Sequence, residues 1–374
     1  MTQLTIRNIS DHPRRGFATA EYTPGKKPLP DGALVARGPG GAEFPAQLDP
    51  HPHDAARRVL AVLVDRDVPA HGANPPVLTL QPGAAGLPGP WPRVEVEPTG
   101  FRLVNDRLNV WVNLGALNGE PWFAGAASSV QLSDDFFHRL EMLDAINAIW
   151  DWRHDPEKRL QLDRIRLWRA AWDPDPCLDV ELFETPFRMG VSAEGPARAT
   201  ATLESEPFDY ASRDPDGTPR RFRCTLYRTF SLYRDADFVH EHLYVRGVPE
   251  GKAGAGEVRL SFTARYFLYM GMGIRPLITH FADIPDWLAV SYPQHPLHGY
   301  GFATNVHADP IRNPHPGYPH PTHDHNSFSW ELGAGNDVHC VHLFRCAPAG
   351  EMVEATGRAW YCHIYHPLTA ELSL

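Results

Sequence analysis

Little in this chain of 374 residues reads as α-helix. One stretch does, "SDDFFHRLEMLDAINAIW" at 133–150. Ser133 can cap it, Asp134 and Asp135 suit its first turn, and Phe137, Leu140, Leu143 and Ile146 follow helical spacing. Cysteine is also scarce. Five are present, an odd number, with no CxxC pair. Free thiols in a reducing compartment fit this pattern best. Basic charge is short as well: 35 Lys and Arg against 45 Asp and Glu leave a net charge of −10. The densest basic cluster, "RRFRC" at 220–224, is too small for general nucleic-acid binding. No apolar run approaches the roughly 18 residues of a membrane span, and "MTQLTIRNISDHPRRG" has no apolar signal core. The expectation is a soluble, cytoplasmic protein without a membrane or nucleic-acid partner. The G-x-S-x-G, GxxxxGK[ST], HExxH and dinucleotide signatures are missing, which disfavours serine hydrolases, P-loop NTPases and Rossmann enzymes.

What is present alternates with period two. "RLNVWVNL" sets Leu108, Val110 and Val112 on one face, and "CLDVELF" does the same with Leu178, Val180 and Leu182. "ARATATLE", "TLYRTFSLYR", "DFVHEHLYV" and "EVRLSFTARYFLYM" continue the pattern. Turns rich in Gly, Pro and Asp separate them, as at 173–176, 214–217 and 250–257. The expected fold class is mainly all-β: a small N-terminal β-barrel, then a large antiparallel β-sandwich with one helical insertion. The proline-rich "LPGPWPRVEVEPTG" places the boundary between a domain of residues 1–95 and one of residues 96–374. A second proline-rich tract, 283–325, is a long irregular excursion, and long ordered loops in compact domains often carry function.

Two stretches carry a resemblance. "GALVARGPGGAEFPAQLD" followed by "RRVLAVLVDRDVPAHG" resembles the N-terminal barrel of rhamnogalacturonan exolyase-like proteins. "MGVSAEGPARATATLE" followed by "YRTFSLYRDADFVHEHLYV" resembles the large β-sandwich that follows it. In that family an α/α toroid comes next, and none follows the sandwich pattern here. The resemblance therefore implies an architecture and a carbohydrate substrate, and it assigns no catalytic residue.

Twelve of the twenty histidines fall between 280 and 366. Neutral imidazole is a metal ligand and, near pH 7, an acid or base. In "NPHPGYPHPTHDHNSFSW" at 313–330, Gly317, His323 and His325 have the spacing G-x5-H-x-H, which resembles the first cupin motif. Glu331 follows later than cupins place their glutamate, and no second cupin motif appears. The physical idea stands without the family: imidazoles at i and i+2 on a strand point the same way and can share an ion with a carboxylate. "DFVHEHLYV" repeats the arrangement with His240 and His242. The cofactor expectation is thus one divalent metal ion or none, with His323, His325, Glu331, His240 and His242 as candidate ligands and a proline-stiffened polar loop as the competing reading of 313–330. "VHCVH" at 338–342 and "WYCHIYH" at 360–366 also read as strands. His339 and His342 then face opposite ways, as do His363 and His366.

The same residues suit β-elimination from a uronate, which needs a base, an acid and a group that neutralises the carboxylate. His280, His323, His325, Arg275 and Tyr300 are the candidate catalytic residues. Arg265, Tyr269, His298, Tyr318 and Trp330 are the candidate substrate contacts. Hydrolysis needs two carboxylates about 5–10 Å apart, and no spacing singles out a pair. The leading expectation is a lyase or glycosidase that cleaves a glycosidic bond in an oligo- or polysaccharide at a His-rich cleft. A metal-dependent oxygenase or isomerase, and a non-catalytic sugar-binding or assembly subunit, stay open. A homo-oligomer is an open expectation too.

Overall fold

The computed structural model describes residues 2–25, 28–72, 74–83, 89–98, 100–113, 127–132, 161–167, 180–181, 187–213, 219–251, 258–259, 263–269, 277–281, 287–292, 295–306, 308–311, 327–332, 337–345, 349–365 and 367–373. The helix expected at 133–150 lies outside these residues.

Alternation at the N-terminus builds a closed seven-stranded barrel. Its strands run, in spatial order, Thr2–Arg7, Leu368–Ser373, Arg14–Tyr22, Arg58–Val68, Glu43–Pro50, Gly32–Arg37 and Val77–Pro82, and the last closes on the first. Every second residue points inward: Leu4, Ile6, Leu34, Phe44, Leu48, Leu60, Val62 and Leu78 are all 1% exposed or less. Each such burial contributes about 1.5–3 kcal/mol. One strand comes from the far end of the sequence. Leu368–Ser373 pairs antiparallel with Thr2–Arg7 and parallel with Arg14–Tyr22. A division of the chain at residue 95 is therefore crossed by the last barrel strand.

The rest is mostly two large sheets, so the chain is mainly all-β. A nine-stranded sheet runs in order Ala308–Ile311, Ser327–Leu332, Thr263–Tyr269, Gln161–Leu167, Ala127–Leu132, Leu108–Asn113, Gly100–Val104, Arg93–Glu97, with Val180–Glu181 beside Gln161–Leu167. A ten-stranded sheet runs Phe187–Glu194, Arg198–Ser205, Pro219–Tyr233, Phe238–Pro249, Asp337–Arg345, His295–Thr304, Trp287–Tyr292, Leu277–Phe281; Phe208–Arg213 and Val258–Arg259 lie off this path. The sheets meet face to face, with the Phe101 ring 6.4 Å from that of Phe230. Asn105 ties them together: its amide donates to the carbonyls of Tyr233 and Ala236, both at 2.8 Å.

The outer face of the ten-stranded sheet is covered at two places. The barrel sits on one. A helix, Ala349–Ala359, packs on the other and brings Met352, Ala355 and Ala359 onto Trp287, Ala289, Ala303, Val341 and Leu343. The approach is close. A Cβ at Gly301 would lie 2.2 Å from Thr356 Oγ1, so glycine is required there. The strand expected over 360–366 is not formed. Trp360–Tyr365 continues the helix as a π-helical turn, because helical spacing from Met352 onward keeps the apolar side on the sheet. His363 therefore lies on that turn and not on a strand, and His366 lies outside the described residues. Among the described residues, no helix is long and apolar enough to cross a membrane.

Candidate functional site

Strand Phe238–Pro249 lies between Pro219–Tyr233 and Asp337–Arg345. Period two sets His240, His242 and Tyr244 on its outer face, and Glu241 and Leu243 on its inner face. Register then selects their neighbours. His242 stands opposite His339, and Tyr244 opposite Asp337. Two i, i+2 pairs, His240-x-His242 and Asp337-x-His339, thus share the outer face.

They touch. His242 Nε2 donates to Asp337 Oδ1. The His242 and His339 rings stack at 4.2 Å, with 5° between their planes. His339 Nε2 is 3.7 Å from the same Asp337 oxygen. On its other side, His339 Nδ1 is 3.1 Å from His240 Nε2, so one nitrogen donates and the other accepts. The side chains of His242, Asp337 and His339 remain 20%, 35% and 35% exposed. Burial, reinforced by the neighbouring His339 and His242, holds His240 well below the usual imidazole range. Burial and then His242 lower His339 too, against the opposing pull of Asp337. Neutral imidazoles are the result.

The barrel supplies a wall. His53 follows strand Glu43–Pro50, and its ring stacks on Tyr244 at 4.0 Å and 18°. It also lies 6.0 Å from His242 and 5.7 Å from Tyr227. His51 packs edge-on against His53 at 4.5 Å and sits 3.6 Å from Glu21, which is paired with Arg57. Burial lowers the His51 imidazole. This wall is fixed by buried polar contacts. Gln47 Oε1 accepts from the Ala197 and Arg198 amides at 3.0 and 2.8 Å, and Arg198 Nε donates to Asp49 Oδ2 at 2.9 Å. A Cβ at Gly195 would lie 2.6 Å from Gln47 Oε1, so only glycine admits this contact without a shift. On the opposite side, the Phe238 ring meets His363 of the π-helical turn at 4.2 Å.

The inner face of the same strand carries a second polar group. Arg228 Nε and Nη2 bond Glu241 Oε1 at 2.7 and 2.6 Å, and His342 Nε2 lies 2.8 Å from Glu241 Oε2. Burial pushes the Glu241 carboxyl up, but Arg228 and His342 outweigh it and hold it down at about 2. His339 and His342 thus face opposite sides of their strand, as alternation requires. Cys224 and Cys340 are buried free thiols, and burial pushes the Cys224 thiol up to about 12.

The other residues expected from the sequence are distributed between the two large sheets. Arg265 and Tyr269 lie on Thr263–Tyr269 of the nine-stranded sheet; Trp330 and Glu331 lie on the adjacent Ser327–Leu332, with Glu331 opposite Arg265. His280 stands opposite Ala289, and Tyr300 opposite Val290 and Phe344, in the ten-stranded sheet. His298 is on the strand of Tyr300. Arg275, Tyr318, His323 and His325 lie outside the described residues. Of all these candidates, His240 and His242 are the two that the described geometry brings together with other imidazoles and a carboxylate. Strand alternation does not point to His51, His53 or Asp337, and it places His339 only on the strand face opposite His342. The D-x-H spacing of Asp337 and His339 was a visible signal, but its pairing with His242 was not.

A barrel joined to a two-sheet sandwich defines the class of architecture. No family model and no curated protein matches the sequence. Among solved structures, an α-mannosidase from Enterococcus faecalis V583 aligns over all of this chain and 46% of its own, with a TM-score of 0.47 and 10% identity. A glycosyl hydrolase family 38 protein from Enterococcus faecalis aligns over all of this chain and 47% of its own, with a TM-score of 0.47 and 9% identity. The chain spans less than half the length of either. Likeness at this level carries no argument about what the chain does.

Proposed function

We propose that the chain is part of a carbohydrate-active enzyme that cleaves a glycosidic bond, with its reactive face at His242, Asp337 and His339. The observation that carries this reading is the convergence of two imidazoles and a carboxylate on a partly exposed sheet face. Beside it, the His53 ring stacks on the buried Tyr244 ring and closes one side of the cluster. The resemblance of the barrel and sandwich sequences to exolyase-like proteins supports the substrate class. β-Elimination and hydrolysis both remain compatible with these residues. In elimination, a neutral ring nitrogen takes the proton as general base.

The test is a panel of uronate and neutral oligosaccharides. Elimination is read as new ultraviolet absorbance from an unsaturated product, and hydrolysis as new reducing ends. Turnover that falls at least about a hundredfold in His339→Ala, with the fold retained, supports the reading. No turnover and no binding across the panel overturns it. A second reading, a metal-dependent oxygenase or isomerase, draws on the same two imidazoles and one carboxylate, a donor set such enzymes use.

A further inference from the structure

We propose that His242, His339 and Asp337 form a three-ligand site for one divalent transition-metal ion of the zinc class, with His240 as the residue that orients His339. The inference rests on the reading of this cluster as the reactive face, and gives that face its cofactor.

Two imidazole nitrogens and one carboxylate oxygen, one from each residue, lie within 4.8 Å of one another. Ligands about 2 Å from a tetrahedral zinc are about 3.3 Å apart. The three donors are therefore within reach of one ion once the side chains rotate about χ1 and χ2. Strand pairing already supplies the alignment. His242 and His339 are directly opposed across the ladder, and both Nε2 atoms lie near Asp337 Oδ1, while their stacked ring planes must tilt toward each other before both can bind one ion. Asp337 is two residues from His339, so it shares that face without a loop to order. An ion entering here replaces the proton between His242 Nε2 and Asp337 Oδ1, and that proton leaves to solvent.

His240 completes the arrangement. With His339 bound through Nε2, its Nδ1 keeps a proton and donates it to His240 Nε2, 3.1 Å away. That bond fixes the tautomer and ring orientation of His339. Three protein ligands leave a coordination position for water or substrate, as in catalytic rather than structural zinc sites. The exposed sides of Asp337 and His339 leave the cluster open to solvent.

The test uses the intact chain, untagged and stripped with chelator. Zn2+ binding is measured by calorimetry, and Co2+ binding by visible absorption. One ion per chain is expected. His242→Ala, His339→Ala and Asp337→Asn each weaken binding more than a hundredfold while the circular dichroism of the apo protein is unchanged. His240→Ala keeps the stoichiometry but weakens binding about 10–100-fold. His240→Gln, which restores an acceptor for His339, recovers part of that loss. A variant carrying both His323→Ala and His325→Ala retains the ion. No stoichiometric ion, or an ion lost from that double variant and kept in His339→Ala, overturns the proposal. The two readings fail separately. An ion bound without turnover of any glycoside sinks the carbohydrate reading alone, and turnover that survives chelation with no ion bound sinks the metal site alone.

Discussion

On the outer face of strand Phe238–Pro249, His242 meets Asp337 and His339; on its inner face, Glu241 meets His342 and Arg228. Both groups join imidazole to carboxylate. Their depth separates them. Glu241, Arg228 and His342 are 0%, 2% and 3% exposed, whereas Asp337 and His339 side chains are each 35% exposed. A guanidinium locks the inner carboxylate inside the sandwich core, where charge must be matched within the protein. The outer carboxylate is shared by two stacked rings within reach of solvent. The same chemistry is therefore locked in the core on one side of a strand and open to solvent on the other.

The sharpest way to break this comparison is to neutralise each carboxylate in turn. Glu241→Gln leaves Arg228 buried without its counter-charge, and a loss of about 3–5 kcal/mol in urea denaturation is expected. Asp337→Asn, measured the same way on metal-free protein, is expected to cost under about 1 kcal/mol, since a solvent-screened pair contributes little. Equal losses would mean that the outer cluster is as structural as the inner one. The smallest effect is a pH dependence at the edge of the outer face. Burial, with Arg14 adding to it, holds His363 down to about 4, and His240 is the other titratable ring that its charge would reach. An unfolded histidine titrates near about 6.5. Between those values the unfolded chain binds a proton that the native state refuses, so this contribution is complete above about 6.5 and is lost as pH falls toward 4. His363→Phe should flatten the stability profile in that window and leave it unchanged above pH 7. An unaltered profile would place the acid sensitivity elsewhere.

The strands were legible because alternation is a local property, and the inward set of Leu4, Ile6, Leu34 and Leu48 follows from it directly. So was the shared face of His240 and His242. The partner strand was not. Nothing in "DFVHEHLYV" points to "DVHCVH" almost a hundred residues later, since register is a matter of which edges meet. The helix at Ala349–Ala359 escaped notice because Gly350, Val353, Thr356 and Gly357 dilute its propensity, while its contact with Trp287 and Leu343 outweighs that deficit. His53 was hidden for a different reason. It follows a barrel strand, and its partner Tyr244 belongs to the sandwich, so no spacing within either segment relates them.

The strand Leu368–Ser373 has a consequence for the order of assembly. Gln3 pairs with Ser373 and Leu4 with Leu372, so the barrel cannot shut until residue 372 has left the ribosome. Until then Thr2–Arg7 and Arg14–Tyr22 border an open seam whose backbone groups have no ladder to join. Pairing the two ends closes the largest loop in the barrel, whose entropic cost grows with loop length, and topology of this kind slows folding.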